Sequence, residues 1–149
     1  MTLSQIAVIV EGQSFAMTAS GSVIGSIWLR SHLEPRIDFP EAGWTDFPVV
    51  ILGWWLDQIE GVLRRSSAEA TCSFMDGPFE FRITCSGELR LLERRAAGTR
   101  EVAKLEVSLQ AFWQQLNIAA SLVVSECDRL GFSNADVVNL RRFIVEKQA

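Results

Sequence analysis

The stretch DFPVVILGWWLDQIEGVLRR, residues 46–65, decides the fold because it stands between two strand-rich parts of the chain. Its apolar residues recur every three or four positions, and polar residues fall on the opposite side. The apolar set is Val49, Leu52, Trp55, Leu56, Ile59, Val62 and Leu63, and the opposite set is Gly53, Asp57, Glu60 and Arg64. This spacing predicts an amphipathic helix over Asp46–Arg65 with one face on the core. Thr45 or Asp46 is expected to accept the first-turn amides, where Pro48 is tolerated because its missing N–H is not needed.

Short strands are predicted ahead of this helix. They are Ile6–Val10, a segment from Phe15 to Ala19 and a segment from Val23 to Leu29, with turns at 11–13 and 20–22. Three strands joined by tight turns indicate an antiparallel meander. Residues 31–45 contain two prolines and a glycine, and we expect a long surface loop there with an edge strand around 36–39.

A second meander is predicted after the helix, followed by two more helices. Strands are expected over 71–75 and 79–85. A third begins at 89, and a last one ends at 107. The turns between them are at Asp76-Gly77-Pro78, at Ser86-Gly87-Glu88 and before Gly98. Ser108 is a predicted N-cap, and Gly131 fits the position just after the end of a six-turn helix. Residues 133–136 have the spacing of a capping box, and Val137, Leu140 and Ile144 line the last helix.

These elements predict an α+β fold in one domain spanning residues 1–149. We expect an antiparallel sheet of about six to seven strands in two meanders, with one helix between them and two C-terminal helices packed on one face. About 70% of the unfolded surface can be buried at this length, so no disulfide or metal is needed to hold the core together.

Composition excludes several classes of protein. The chain is 48% hydrophobic and 21% charged, which is too apolar for a disordered chain. A net charge of -4 makes nucleic acid an unsuitable partner. The longest apolar run, 47–56, is about half of what a membrane helix needs, so no membrane span is expected. The start of the chain lacks the charge and cleavage site of a secretory signal, and we expect a cytoplasmic protein with free thiols.

Few residues suit catalysis, a metal or a cofactor, and none of these is predicted. His32 is the single histidine, and it has neighbouring acids but no ligand motif. Cys72 and Cys85 flank the turn at Asp76, so a disulfide between them is conceivable but disfavoured in a cytosolic chain. Arg94, Arg95 and Arg100 surround a hairpin, where exposed arginine is more common than a phosphate site. No phosphate-binding loop and no serine-nucleophile motif occur.

The distribution of charge points to a binding surface. Before Arg64 the chain holds seven acids against two bases, and most of these acids fall between Glu34 and Glu60. Aromatic residues lie within the same region. The predicted contact residues for a basic protein partner are Glu34, Asp38, Glu41, Trp44, Asp57 and Glu60. The alternative is that Trp44 packs on the helix while the acids keep the protein soluble.

Two short motifs carry a resemblance. They are WTDFPVVILGWWL at 44–56 and FMDGPF at 74–79, followed by an alternating strand and a long helix. This layout, over residues 39–145, resembles small bacterial proteins of uncharacterised families, some of them similar to immunity proteins of polymorphic and contact-dependent toxin systems. The resemblance implies a protein that neutralises a toxin by binding it, without an active site, and assigns no role to any single residue.

The sequence leaves two other functions open. A structural or homo-oligomeric module, such as a homodimer, would present an apolar face containing Trp28, Trp54 or Trp113. An enzyme would place His32 and two carboxylates together in a deep pocket.

Overall fold

The computed structural model describes residues 6–32 and 36–148, with side chains as far as Ile144. The first sheet, sheet A, consists of β1 (Ile6–Met17), β2 (Val23–Ser31), β3 (Ile37–Phe39) and β4 (Thr45–Asp46). Helix α1 (Pro48–Leu63) follows it. The second sheet, sheet B, consists of β5 (Glu69–Ser73), β6 (Phe79–Thr84), β7 (Glu88–Arg95) and β8 (Gly98–Glu106). Helices α2 (Leu109–Leu130) and α3 (Ala135–Gln148) complete the described part.

The α+β class is confirmed, as is the order of two antiparallel meanders with a helix between them and two helices at the end. Each meander forms its own four-stranded sheet. Sheet A has the order β1-β2-β3, with β4 pairing to β2 beside β3, and sheet B has the order β5-β6-β7-β8. The short strand expected near 36–39 is β3, which pairs with β2.

Strand β1 is longer than predicted, because the chain does not turn at 11–13. Glu11 pairs with Ser26 and Ala16 pairs with Ile24, so the residues between them form a bulge. The Ser26 amide donates to Ser14 Oγ at 2.7 Å, which replaces a lost ladder bond. The two strands expected before residue 20 are therefore one bulged strand, and Gly12 and Gln13 lie within it rather than in a turn.

The ends of the helices follow local signals in α2 but not in α1. Ser108 Oγ accepts a hydrogen bond from the Ala111 amide, and Gly131 is left-handed at φ 68°, as predicted. The predicted capping of α1 by Thr45 or Asp46 is wrong, because Phe47 holds the N-cap position without a side-chain bond. For α3 the cap lies one residue later than the expected box, since Asn134 Oδ1 accepts from the Val137 amide at 3.0 Å.

One hydrophobic cluster joins both sheets and the helices. Trp55 of α1 lies at its centre, fully buried, with its ring 5.0 Å from the rings of both Phe74 and Phe81. Phe81 in turn contacts Phe112 of α2 at 5.6 Å. The Trp55 indole N–H donates to the Ser73 carbonyl at 2.8 Å, which satisfies its polar atom and ties α1 to β5.

Candidate functional site

The solvent-facing side of α1 is the candidate site. Consecutive helical residues are rotated by about 100°, so burial of Trp55 turns the neighbouring Trp54 outward. Trp54 is 46% exposed, although large aromatic side chains are usually covered. Asp57 and Gln58 lie three and four positions further on and are also exposed. We call Trp54, Asp57, Gln58 and Glu60 the α1 outer face.

A cleft of about 310 Å³ separates the α1 outer face from the edge of sheet B. We call it the α1–β5 cleft. Its lining residues are Trp54, Asp57, Gln58, Thr71 and Ser73. The Trp55–Ser73 hydrogen bond and a long 3.5 Å contact from the Thr71 amide to Gln58 Oε1 hold its two walls in register. The cleft is therefore positioned by the same contacts that anchor the helix.

A second cleft, of about 360 Å³, separates α1 from α3. Its lining residues are Asp57, Glu60, Arg64, Asn139, Arg142 and Phe143. Gly53 faces α3, where a Cβ would be in ordinary van der Waals contact with the Asn139 side-chain nitrogen, at 3.6 Å. Asp57 lines both clefts and is the residue that they share.

The two acids of the α1 outer face differ in their partners. Glu60 Oε2 lies 3.5 Å from Arg64, four residues later at the C-cap of α1. Among the described residues no ion pair involves Asp57, and its side chain is exposed. An acid without an ion-pair partner keeps its charge available to another protein, whereas the charge of Glu60 is partly compensated by Arg64.

Asp38 lies on a different surface. Its neighbour Phe39 points into the core, so Asp38 points to the opposite face of sheet A. The carboxylate accepts from Arg30 Nε at 2.6 Å and from the Trp28 indole at 2.9 Å, and Arg36 lies 3.7 Å away. The hydrogen bond from Arg30 holds the pKa of Asp38 below its ordinary value. The structure thus brings Asp57 and Glu60 together but separates Asp38 from them.

Trp44 packs inward, as in the alternative hypothesis for the acidic region. That hypothesis placed it on the helix, whereas its ring contacts the β5–β6 turn. Its ring lies 5.3 Å from that of Phe79 and covers Gly77, and its indole N–H donates to Asp46 Oδ2 at 2.9 Å. Glu41 is exposed in the loop before it. Glu34 lies outside the described residues.

The sequence interpretation missed the role of Asp46. Its side chain is 1% exposed and accepts four hydrogen bonds, so it acts as a tie between segments rather than as a helix cap. The donors are the Phe47 amide at 2.7 Å, the Trp44 indole at 2.9 Å, the Asp76 amide at 3.1 Å and the Met75 amide at 3.2 Å. Two of these amides are about thirty residues away along the chain, so no local pattern could reveal the bonds. Asp46 fixes the start of α1 against the β5–β6 turn and thereby helps to place the α1 outer face.

The cysteines do not form a reactive or disulfide-bonded site among the described residues. Cys72 lies opposite Phe81, whereas the Cys85 amide bonds to the Ala68 carbonyl, so the two cysteines are four ladder positions, or ~13 Å, apart and do not form a disulfide. Burial raises the pKa of the Cys127 thiol to about 11, and burial likewise raises that of Cys72.

The arginines of the β7–β8 hairpin are paired with glutamates. Glu93 lies 3.1 Å from both Arg95 and Arg100, and Arg94 lies 3.5 Å from the buried Glu80. His32 is exposed, and within residues 6–32 and 36–148 no group of three or more His, Cys, Asp or Glu could hold a metal ion.

No protein-family model, curated protein sequence or solved structure matches the chain. In the part of the chain that the structure describes, none of the helices is both long enough and apolar enough to cross a membrane.

Proposed function

We propose that this protein acts by binding another protein, and that its partner is a basic toxin domain that it neutralises without catalysis. The contact surface is the α1 outer face, with Trp54 as the apolar anchor and Asp57 as the charge. The observation that carries the proposal is the pairing of a 46% exposed tryptophan with an adjacent carboxylate that has no ion pair among the described residues.

Physical considerations favour this combination as a contact surface. Tryptophan is enriched among the residues that dominate binding energy at protein interfaces, because it buries a large area at little cost in side-chain freedom. Acids beside it attract a basic partner and raise the rate of association. The exposed part of the Trp54 side chain adds nothing to the core of the isolated chain, and a contact role accounts for its position.

The test is a bacterial survival experiment. The chain is co-expressed with the C-terminal domain of a multidomain toxin encoded immediately upstream of its own gene. We expect the wild-type protein to restore growth, and the double variant Trp54→Ala, Asp57→Lys to lose this protection, because the variant removes the anchor and reverses the charge.

The matched control is Glu106→Lys, which makes the same change of charge on the far strand of sheet B. Glu106 lies three strands from β5, ~14 Å from the cleft edge, and faces Glu88 across the ladder. Full protection by the double variant, or the absence of any toxin gene beside this one, would contradict the proposal. Circular dichroism of each purified variant verifies that a loss of protection does not come from unfolding.

A further inference from the structure

We infer that the α1–β5 cleft is a binding site for a cationic side chain, specifically the guanidinium of an arginine presented by a protein partner. This inference rests on the proposed function and names the chemistry of one contact within it. The cleft volume of about 310 Å³ is at the lower end of the ~300–1,000 Å³ typical of ligand pockets, so one side chain suits it better than a large cofactor.

The charge of the lining residues sets the sign of the ligand. Asp57 is the single ionisable group among the five residues that line this cleft, and it is an acid. Gln58 and the hydroxyls of Thr71 and Ser73 add neutral acceptors. The α1–α3 cleft differs, because Arg64 and Arg142 also line it and would repel a cation. The cation site is thus confined to the side of α1 that faces β5.

The wall opposite Asp57 contributes further acceptors from the strand edge. The Phe74 amide donates to the Phe79 carbonyl, so even-numbered residues of β5 direct their backbone groups to β6. Thr71 and Ser73 therefore direct theirs away from β6, toward α1. The Ser73 carbonyl is already used by Trp55, which leaves the Thr71 carbonyl as a backbone acceptor at the cleft.

The arrangement favours arginine over lysine. A planar guanidinium stacks on the exposed face of an indole while its N–H groups donate to a carboxylate in the same plane. Trp54 and Asp57 are three residues apart on the helix, a spacing that places their Cβ atoms about 5–6 Å apart. Ring and carboxylate can therefore contact the same guanidinium, and Gln58, one position beyond Asp57, can accept a further hydrogen bond.

The experiment is an NMR titration of the full chain with the peptide acetyl-Gly-Arg-Gly-amide. The indole N–H signal of Trp54, assigned by its loss in Trp54→Phe, and the side-chain amide of Gln58 report on the cleft. We expect both to shift in a saturable manner. The matched peptide with citrulline in place of arginine keeps the shape but lacks the charge, and we expect it to bind at least about tenfold more weakly.

Two variants separate the cleft from general attraction of a cation to an acidic protein. Asp57→Asn is expected to weaken binding of the arginine peptide about fivefold or more, whereas Glu106→Gln removes the same charge elsewhere and should change it by less than about twofold. Unshifted Trp54 and Gln58 signals, equal binding of the citrulline peptide, or equal weakening by both variants would overturn the inference.

The outcome is distinguishable from that of the survival experiment. If the peptide does not bind but protection from the toxin is still lost in the Trp54 and Asp57 double variant, the partner uses the α1 outer face without inserting a guanidinium. If the peptide binds with the expected specificity and no protection occurs, the cleft recognises arginine and the proposed toxin partner is wrong.

Discussion

Three aspartates of the first half illustrate how the surroundings of a residue decide its role. Asp46 is buried, and its carboxylate accepts four hydrogen bonds from within the protein, so it is not available to a partner. Asp38 is half-buried and its charge is compensated by Arg30. Asp57 is exposed with no ion pair among the described residues. The residue type is the same in each case, and only the third environment leaves a carboxylate available to a partner.

Asp38 makes stability depend on pH in a defined direction. Its pKa in the folded protein lies below the ordinary value of 3.8, chiefly because of the hydrogen bond from Arg30. The unfolded chain therefore binds the proton at higher pH than the native state does. The stabilisation is complete above about pH 3.8 and is lost as the pH falls through the lower native pKa.

The test compares urea unfolding of the wild type with that of Asp38→Asn. At about pH 7 the variant should be less stable by about 1 kcal/mol, since a partly exposed ion pair and charge-assisted hydrogen bonds are lost. The difference should shrink at about pH 3, because this is below the ordinary pKa of 3.8 at which the unfolded chain takes up the proton. Asp57→Asn serves as the control, with little loss of stability at either pH. A gap between wild type and Asp38→Asn that is independent of pH would contradict this assignment.

At the scale of elements, the β6–β7 turn couples sheet B to the start of α2. Gly87 has φ +91°, and its carbonyl accepts from the Val107 amide at 2.9 Å. A Cβ added at Gly87 would lie 2.0 Å from the Val107 carbonyl oxygen, a distance that no side-chain adjustment can relieve. The glycine is therefore required both by its dihedral angle and by the backbone that crosses it.

Gly87→Ala is expected to destabilise the protein by about 3–5 kcal/mol, from the left-handed φ and the clash together. Gly98→Ala is the matched control. It also has a positive φ, +119°, but its Cβ would meet nothing within 4 Å, so we expect about 1–2 kcal/mol. Urea midpoints measure both values. Equal effects of the two substitutions would mean that the segment around Val107 moves aside easily, contrary to this account.

The elements also show which features the sequence could predict. The period of α1 and α2 and the signals at Ser108 and Gly131 are local, so the helices were predictable within two residues. Continuity of β1 depends on Ser14 bonding to Ser26 across the ladder and on Phe15 packing over Gly25, where a Cβ would lie 2.4 Å from its ring. The two meanders stay separate sheets because no strand of one pairs with a strand of the other, and alternation alone does not encode which strand edges stay unpaired.

For the candidate site too, the sequence predicts the residues that depend on local pattern and not those that depend on tertiary contacts. Asp57 and Glu60 follow from the polar side of one helix, and the structure places them on one surface. Nearness in sequence also grouped Asp38 with them, but strand alternation directs that residue to the other face of sheet A. The exposure of Trp54 and the cleft with Thr71 and Ser73 arise from docking of α1 on β5, so they required the tertiary structure.

For the whole molecule, the arrangement of the core predicts how the chain unfolds. The two sheets are joined through α1, α2 and a group of aromatic rings rather than by strand pairing. Phe39 of sheet A contacts Phe74 at 5.9 Å and Phe79 at 5.7 Å, on either side of the β5–β6 turn. Neither sheet can lose these contacts without exposing apolar surface of the other.

We therefore expect one cooperative transition in urea, with far-UV circular dichroism and tryptophan fluorescence changing together, as a single domain requires. Phe39→Ala should lower stability by about 3–5 kcal/mol, because its ring is 2% exposed and bridges the sheets. Ile118→Ala, at a side chain that is 56% exposed, should cost less than about 0.5 kcal/mol. Separate transitions for the two probes in the wild type would show that the sheets unfold independently, and the expectation of one domain would then be wrong.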